Sequence, residues 1–433
     1  MAMEEQAERE NPKIRPIEAF PLQQSGQELI GIKDPTGIFS EICFVSPETF
    51  FLISLMDGSN TLRDLQAAYL RRYGTLLYTE KVEELIKQLD ACHLLDNRHF
   101  QDYLCQLHEA FKKATTREAM FTGKGYEANP EQLKAMIQSF FTGKEGPGLP
   151  NESGQKKIIK GILAPHIDLT RGGTCYAHAY KALGESLGSS HGADLYIILG
   201  TCHTPMQNPF AFTLKSFETP LGHAGVPKDL VADIACRLPF DPFLDEFCHR
   251  NEHTIEFQVI FLHYLLGKRE FKIFPILCNS FHGLIQQGIS PMQDPLYKEA
   301  IALLAEQCAG LDRVCLVASA DLAHVGPQFG HRETVTPGVL AETKAKDLEM
   351  LGYVQELKAE EFYQFILREK DRRNICGLPP LYALLHLIKA QKAEGGLTKG
   401  SPSALARGHL LNYQQWYDSQ GKGAVTFASM AFT

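Results

Sequence analysis

The spacing of apolar positions divides this chain into a helical front part and a longer part where short apolar runs alternate with helical stretches. Pro47 to Met56 reads as an apolar helix stopped by Asp57-Gly58. Thr61-Leu62-Arg63-Asp64 offers a capping-box-like start, with Asp in place of Glu or Gln. Leu62, Leu65, Tyr69 and Leu70 then keep one face apolar as far as Gly74. A third helix is expected over Thr79 to Cys92, with Val82, Leu85, Ile86 and Leu89 at helical spacing, and Leu94-Leu95-Asp96 reads as a turn into a short strand. Three small helices and a wing describe a small, mainly α, winged-helix-like module over residues 35–105, behind a flexible tail at 1–34.

Residues 106–156 read as connecting helices and a loop. Asp102 to Lys113 continues as a helix, and Asn129-Pro130-Glu131-Gln132 starts another, with Asn at the N-cap, Pro at N1 and Gln at N3, running to about Phe141. Gly143 to Gly154 is a Gly/Pro-rich loop. Beyond it the rhythm is βαβ: Ile158 to Leu163, a helix over Ala177 to Leu187, Leu195 to Leu199, Phe271 to Leu277, a helix over Tyr297 to Cys308, and Val314 to Ala318. Val425 to Ala431 adds a final strand. The pattern predicts an α/β domain over 157–433, a mostly parallel sheet flanked by helices.

Composition narrows the function more than the fold. The 433 residues are 44% apolar and 22% charged, as in ordinary globular proteins, and exceed one typical core. A formal net charge of −8 argues against phosphate-backbone binding as the main task, and Lys156-Lys157 and Arg372-Arg373 are short and lie in expected turns. The third helix carries Glu80, Glu83, Glu84 and Asp90 against Lys81 and Lys87, so its face repels nucleic acid. No stretch approaches the roughly 18 apolar residues of a membrane span, and the acidic N-terminus lacks a signal-peptide core. The eleven cysteines are scattered without a Cys-x-x-Cys pair, which fits reduced thiols and a cytoplasmic protein.

Candidate chemistry sits where strands end, and ligands of open α/β sheets bind outside the carboxyl ends of the strands. His166 follows Ile158 to Leu163, His203 follows Leu195 to Gly200, and Asp321 and His324 follow Val314 to Ala318. The Asp-x-x-His spacing suits a carboxylate orienting an imidazole, and equally a helix cap formed by Ser319 and Asp321. Cys376 stands just before the helix Leu381 to Ile388, where the dipole favours a thiolate; a small buried hydrophobe is the other reading. Arg171-Gly172-Gly173 reads as a tight turn where backbone approaches a ligand. Glu252-His253-Thr254-Ile255-Glu256 is placed on a helix with Glu252 and Glu256 on one face, His253 and Glu256 lining the pocket or fixing its walls. Met206, Phe210 and Tyr176 are cavity lining or core, and His178, His191, His282 and His409 default to structural or surface roles.

These islands, taken in order, resemble the Memo family over roughly residues 115 to 433. The carriers are Ala164-Pro165-His166, Leu199-Gly200-Thr201-Cys202-His203, Glu252 to Glu256, Ser319 to His324, Asn374-Ile375-Cys376-Gly377 and the opening segment Arg117 to Phe141. The resemblance implies a fold similar to class III (LigB-type) extradiol dioxygenases and a metal triad carried onto His166, His203 and Cys376. It places acid/base partners on Asp321 and His324, with Asp321 orienting His324. Ile167-Asp168-Leu169, Thr201-Cys202 and Ala323 depart from the family pattern, which bears on the substrate pocket around Cys202 and Arg171. A thiolate in place of the dioxygenase carboxylate softens the site towards copper or electron-rich iron, with zinc as a further candidate.

The implied activity is redox chemistry on an unknown substrate. The alternatives are a non-catalytic scaffold that binds a peptide or partner in a dioxygenase-like cleft, and a zinc hydrolase with Asp321 or Glu256 as base. Residues 35 to 100 resemble PqqD-like peptide-recognition domains through their helix order, the Asp57-Gly58 turn and the Cys92-His93-Leu94-Leu95 ending. The combination is similar to component B of the AmmeMemoRadiSam set, implying AMMECR-type and radical SAM partners, with no role for nucleic acid or membrane.

Overall fold

The computed structural model describes residues 10–151 apart from 25 and 40, and residues 158–187, 192–391 and 406–433. Lys156, Lys157, His191 and the first nine residues of the expected tail lie outside the described residues. The chain divides into two units, Met1–Lys113 and Ala114–Thr433.

The first unit begins with an antiparallel sheet of β1 (Glu18–Gln24), β2 (Gln27–Lys33) and β3 (Cys43–Val45), in that order. Four helices follow: α1 (Pro47–Ser54), α2 (Leu62–Tyr73), α3 (Thr79–Ala91) and α4 (Arg98–Lys113). Thr61 and Asp64 form the reciprocal capping box of α2, and Gly74 closes it at a φ of 68°. The sheet corrects two expectations. Residues 18–33 are a paired hairpin rather than a tail, and the strands precede the helices instead of forming a wing after the third. Leu95 makes only a single antiparallel bridge, to Ile14. The reason is burial: Ile32 joins Leu52, Ile53, Met56, Leu65, Val82 and Leu89 in a core of its own. Beside it the buried Arg15 pairs with Asp34 at 3.2 Å and covers the Phe100 ring at 3.8 Å.

The second unit opens with β4 (Thr116–Arg117) and α5 (Pro130–Thr142), whose N-cap Asn129 accepts from the N–H groups of Glu131 and Gln132. Then come β5 (Gly161–Ala164), α6 (Leu169–Ser186), β6 (Leu195–Thr201), β7 (Phe210–Phe212), β8 (Ser216–Thr219), β9 (Gly222–Ala224), α7 (Lys228–Arg237), α8 (His253–Leu266) and β10 (Lys272–Cys278). The chain continues through α9 (His282–Gln287), α10 (Pro295–Gly310), β11 (Val314–Ser319), β12 (Asp321–Val325), α11 (Pro337–Gln355), α12 (Ala359–Arg368), α13 (Leu378–Ala390), β13 (Gly408–Tyr417) and β14 (Ala424–Phe432). The eight-stranded sheet runs β12-β14-β5-β11-β6-β10-β7, with β13 on the other side of β14. Its centre, β5, β11, β6 and β10, is parallel, and antiparallel strands extend it at both edges. A small second sheet joins β4, β8 and β9.

Helices cover the sheet because the central strands are apolar on both faces. α8 packs over β6 and β11 with α6 beside it, while α13, backed by α10 and α12, covers the opposite face. α8 is buried nearly all round, and Tyr176 of α6 stacks on its Phe261 at 4.7 Å. Tyr176 and Phe210 are therefore core.

Two local expectations are revised. Gly172 and Gly173 lie in the first turns of α6, not in a tight turn. A Cβ on Gly172 would meet Ile167 at 2.4 Å, and one on Gly173 would meet the Phe140 ring of α5 at 2.5 Å, so close packing accounts for both. Asp321 opens a strand, so the cap reading of Ser319 and Asp321 is overturned. Among the described residues no helix is long and apolar enough to cross a membrane.

Candidate metal centre

Register assembles the site. Ala164, Ser319 and Gly200 are neighbours across β5, β11 and β6, so the three strands end at one level. His166, Asp321 and His203 follow within a few residues of that line. Cys376 arrives from the opposite side, on the loop leading into α13. Lys370, Asp371 and Asn374 in this loop adopt φ values of 53°, 47° and 51°, and the Asp371 carboxylate accepts the Ile375 N–H at 2.8 Å. Gly377 donates to the Asp321 carbonyl at 3.1 Å, and a Cβ there would lie 2.3 Å from that oxygen. Thr201 ties the Cys376 carbonyl to β6 at 3.2 Å.

The ligating atoms of His166, His203 and Cys376 all lie within 4.8 Å of one another, and Cys376 Sγ is 3.2 Å from His166 Nε2. His166 is buried, Cys376 is partly buried, and His203 shows 43% of its side chain to the cavity. The ring orientations follow from their acceptors. His166 Nδ1 lies 3.1 Å from the Ser319 carbonyl, which accepts only, so Nδ1 carries the proton and Nε2 a free lone pair. His203 Nδ1 lies 3.1 Å from the Glu252 carboxylate. His253 Nδ1 reaches the same carboxylate at 3.1 Å, and the two rings stack at 5.2 Å. This carboxylate-to-histidine arrangement is the one that orients metal-binding imidazoles.

Glu252 is the residue that sequence reasoning passed over. It is the N-cap of α8, accepting from the N–H groups of His253 and Thr254, and it also takes the backbone N–H of His203 at 2.9 Å. An acidic residue just ahead of an apolar helix was the available signal. Arg117, buried in β4, holds this corner: it donates to the Glu252 carbonyl at 2.8 Å and the His249 carbonyl at 3.0 Å, and it pairs with Glu256. Of the two readings of Glu256, lining the pocket is set aside and fixing its walls fits its bonds to the Phe121 segment. It does not line the cavity; Arg117, Tyr126 and the N–H groups of Met120 and Phe121 saturate it. Cys202 also turns away, its Sγ 3.2 Å from the Thr204 carbonyl.

The remaining candidates other than Cys376 face a cavity of about 490 Å³ lined by His166, His203, His253, Asp321, His324 and Arg171 with the rings of Phe121, Phe257 and Phe329. Arg171 is paired with Asp168 and lies 4.4 Å over the Trp416 ring. A register irregularity in β12 between Asp321 and His324 lets both residues reach the same cavity. The expectation that Asp321 orients His324 is not met. Asp321 accepts the backbone N–H of His166 at 2.9 Å and lies 3.6 Å from His166 Nε2. His324 Nδ1 instead faces the carbonyls of Leu322 and Asn374, each at 3.2 Å. The two are neighbours in charge, not in hydrogen bonding.

Burial and charge set the protonation states. Burial holds His166 well below the ordinary histidine range, with His203 and His253 adding to it. Burial also lowers His203, but the Glu252 carboxylate outweighs that and raises it. Glu252 is raised by burial yet held well below the carboxylate range by the two imidazoles. Burial raises Asp321 against the pull of His324. Burial, with Asp321 adding to it, pushes the Cys376 thiol well up, which overrides the dipole-favoured thiolate expected from its place ahead of α13. A neutral imidazole and a protonated thiol at contact distance make a donor set that a soft cation ionises by displacing the thiol proton.

The second unit matches a known family pattern. The family model described as Memo-like protein matches residues 117–431. A MEMO1 family protein of Aquifex aeolicus is 28% identical over 97% of this chain and 99% of its own length, an alignment that runs through both units. One from Methanopyrus kandleri is 30% identical over 66% of this chain and 92% of its own, and one from Thermus thermophilus 25% over 78% and 93%. With the family pattern spanning almost the whole second unit, the chain belongs to the Memo-like family.

Proposed function

We propose that the second unit holds one soft transition metal between His166, His203 and Cys376 and uses it for redox chemistry on a small substrate seated in the adjoining cavity. The observation that carries this reading is the convergence of three soft or borderline donors from three separate strand and helix ends within 4.8 Å. Copper or iron suits a set of two imidazoles and a thiolate; zinc accepts the same donors and makes a metal-assisted hydrolase the third reading. When bound, the metal supplies one-electron chemistry.

This chain's own residues do the rest. Glu252 and the Ser319 carbonyl keep the Nδ1 protons of His203 and His166 away from the cavity. Phe121, Phe257 and Phe329 give an apolar wall that excludes water from the substrate's flank. His324, with its Nδ1 proton held by backbone carbonyls, presents Nε2 as the proton acceptor or donor, and Asp321 sets the local charge.

Metal analysis of anaerobically purified protein tests the reading. The wild type is expected to hold one equivalent, and Cys376→Ser and His166→Ala to lose it while remaining folded. Full metal content in both variants would sink it. A second reading, peptide or partner binding in the manner expected for a PqqD-like module, is favoured by β3, an edge strand that leaves Phe44 53% exposed beside Ile42 at 43%. Candidate partners are the AMMECR-type and radical SAM proteins. Binding that persists in metal-free Cys376→Ser protein would separate this role from the metal chemistry.

A further inference from the structure

A second concavity lies at the other end of the sheet, at the amino ends of β6 and β10. It measures about 880 Å³, within the ~300–1,000 Å³ of ordinary small-molecule sites. Asp194 and Leu195 lead into β6 on one side, Lys272 opens β10 on the other, and the turn after α8 forms the rim. Lys268, Arg269, Lys272 and Arg313 line it against only Asp194 and Glu270, in a chain whose net charge is −8. Arg313 is engaged, 3.2 Å from Asp194 and 3.1 Å from the Gly192 carbonyl, and Arg269 donates to the Leu187 carbonyl at 3.2 Å. Lys268 and Lys272 have no ion-pair partner among the described residues.

The inner wall carries the second, independent observation. His263, in the last turn of α8, is only 8% exposed, lines this cavity, and its Nε2 is buried with no hydrogen-bond partner. The ring is held in place: a Cβ on Gly222 would come within 3.1 Å of it, and Phe271 meets it edge-on at 5.0 Å. Burial, with His223 adding to it, lowers His263 to about 4, so the imidazole is neutral near pH 7. Cations just beyond a helix C-terminus also complement the helix dipole. That accounts for Lys268 and Arg269; it does not account for Lys272, which belongs to a strand, or for the orphaned nitrogen.

We propose that this amino-end cavity binds a phosphate-bearing small molecule, its oxygens accepting from Lys268 and Lys272 at the rim, with the His263 ring as the inner wall beside it. A phosphate offers several acceptor oxygens around one centre, which matches two separated ammonium groups with Arg269 and Arg313 beside them better than a single carboxylate does. The ligand site is distinct from the metal centre and does not depend on the redox reading.

Calorimetric titration of metal-free, full-length protein with inorganic pyrophosphate tests it, with citrate as the carboxylate arm. One saturable site for pyrophosphate is expected, at least tenfold tighter than for citrate, with Lys272→Glu weakening it by tenfold or more. Nitrogen-15 NMR of the wild type is expected to show the His263 Nε2 resonance moving on saturation, a readout that survives even if a His263 variant fails to fold. Absence of saturable binding at millimolar pyrophosphate, an unmoved His263 resonance, or undiminished binding by Lys272→Glu each overturns the proposal. Citrate binding as tight as pyrophosphate overturns the assignment to phosphate.

Discussion

The two ends of one sheet present opposite kinds of concavity. At the carboxyl end, His166, His203 and His324 each have Nδ1 held by a named acceptor, so their Nε2 atoms are aimed before any ligand arrives. At the amino end, His263 Nε2 has no partner, and the cations around it are long, solvent-exposed side chains. One end is ordered by backbone and buried carboxylates; the other leaves Lys268 and Lys272 without an ion-pair partner among the described residues. The difference teaches where rigidity comes from in this fold. Strands that end at a common level deliver side chains with their orientation fixed by neighbouring strands, whereas the turns entering the sheet fix Arg269 and Arg313 but leave Lys268 and Lys272 at the rim without ion-pair partners among the described residues.

The sharpest way to break the comparison is Cys376→Ser, expected to abolish metal at the carboxyl end entirely while pyrophosphate binding at the amino end stays unchanged. Metal analysis and calorimetry on the same sample check both halves. Next comes Arg117→Met, which removes the guanidinium that pairs with Glu256 in the interior. It is expected to cost about 3–5 kcal/mol in urea unfolding, and metal affinity should fall with it because the Glu252 carbonyl loses its anchor.

Acid should act through His249, which burial holds neutral, lowered to about 3, with Arg117 and Lys215 adding to it and the Ala211 carbonyl and Glu252 opposing. Its folded pKa lies below the unfolded value, so its contribution is complete above pH 6.5 and is lost as pH falls from there towards 3. Between pH 6.5 and 5 the loss is about 2 kcal/mol. A His249→Phe variant should show a correspondingly shallower pH slope in urea denaturation. Glu252→Gln keeps the N-cap but weakens the hold on His203, and is expected to lower metal affinity by ~10–100-fold in chelator competition with little change in unfolding. The smallest effect is expected from Gly173→Ala, about 1 kcal/mol, because the half-buried Phe140 ring it meets can turn aside, read as a lowered melting temperature.

The periodic elements of the second unit were legible from the sequence. The cap at Asn129 and the strands ending near Leu163, Leu199 and Ala318 lie within a few residues of where the structure has them. What brings His166 and His203 together is the pairing of Ala164 with Ser319 and of Ser319 with Gly200, contacts between residues more than a hundred positions apart that no local period encodes. The hairpin of β1 and β2 was missed because its strands are half exposed and do not alternate cleanly, as the run Gln27–Lys33 shows. Asp321 misled for a different reason. Its spacing to His324 is that of a carboxylate–imidazole pair on a helix, whereas on a strand its carboxylate turned to His166. Glu252 was visible as a residue but not as a partner, since its bond to His203 joins α8 to the end of β6.

Gly377 turns the geometry of the metal centre into a question of tolerance. The loop carrying Cys376 seats against β12 through a gap that admits a hydrogen atom and nothing larger, because a methyl at this position would stand 2.3 Å from the Asp321 carbonyl oxygen. Relief means the loop backing away by about 1 Å to regain van der Waals distance, and the neighbouring sulfur moves with it, away from His166. A relative that keeps both histidines and the cysteine but has alanine here would retain every ligand and lose the fit between them. Surveys that score such chains by their donors alone would count it as intact; the residue beside the cysteine is the gauge that tells the two apart.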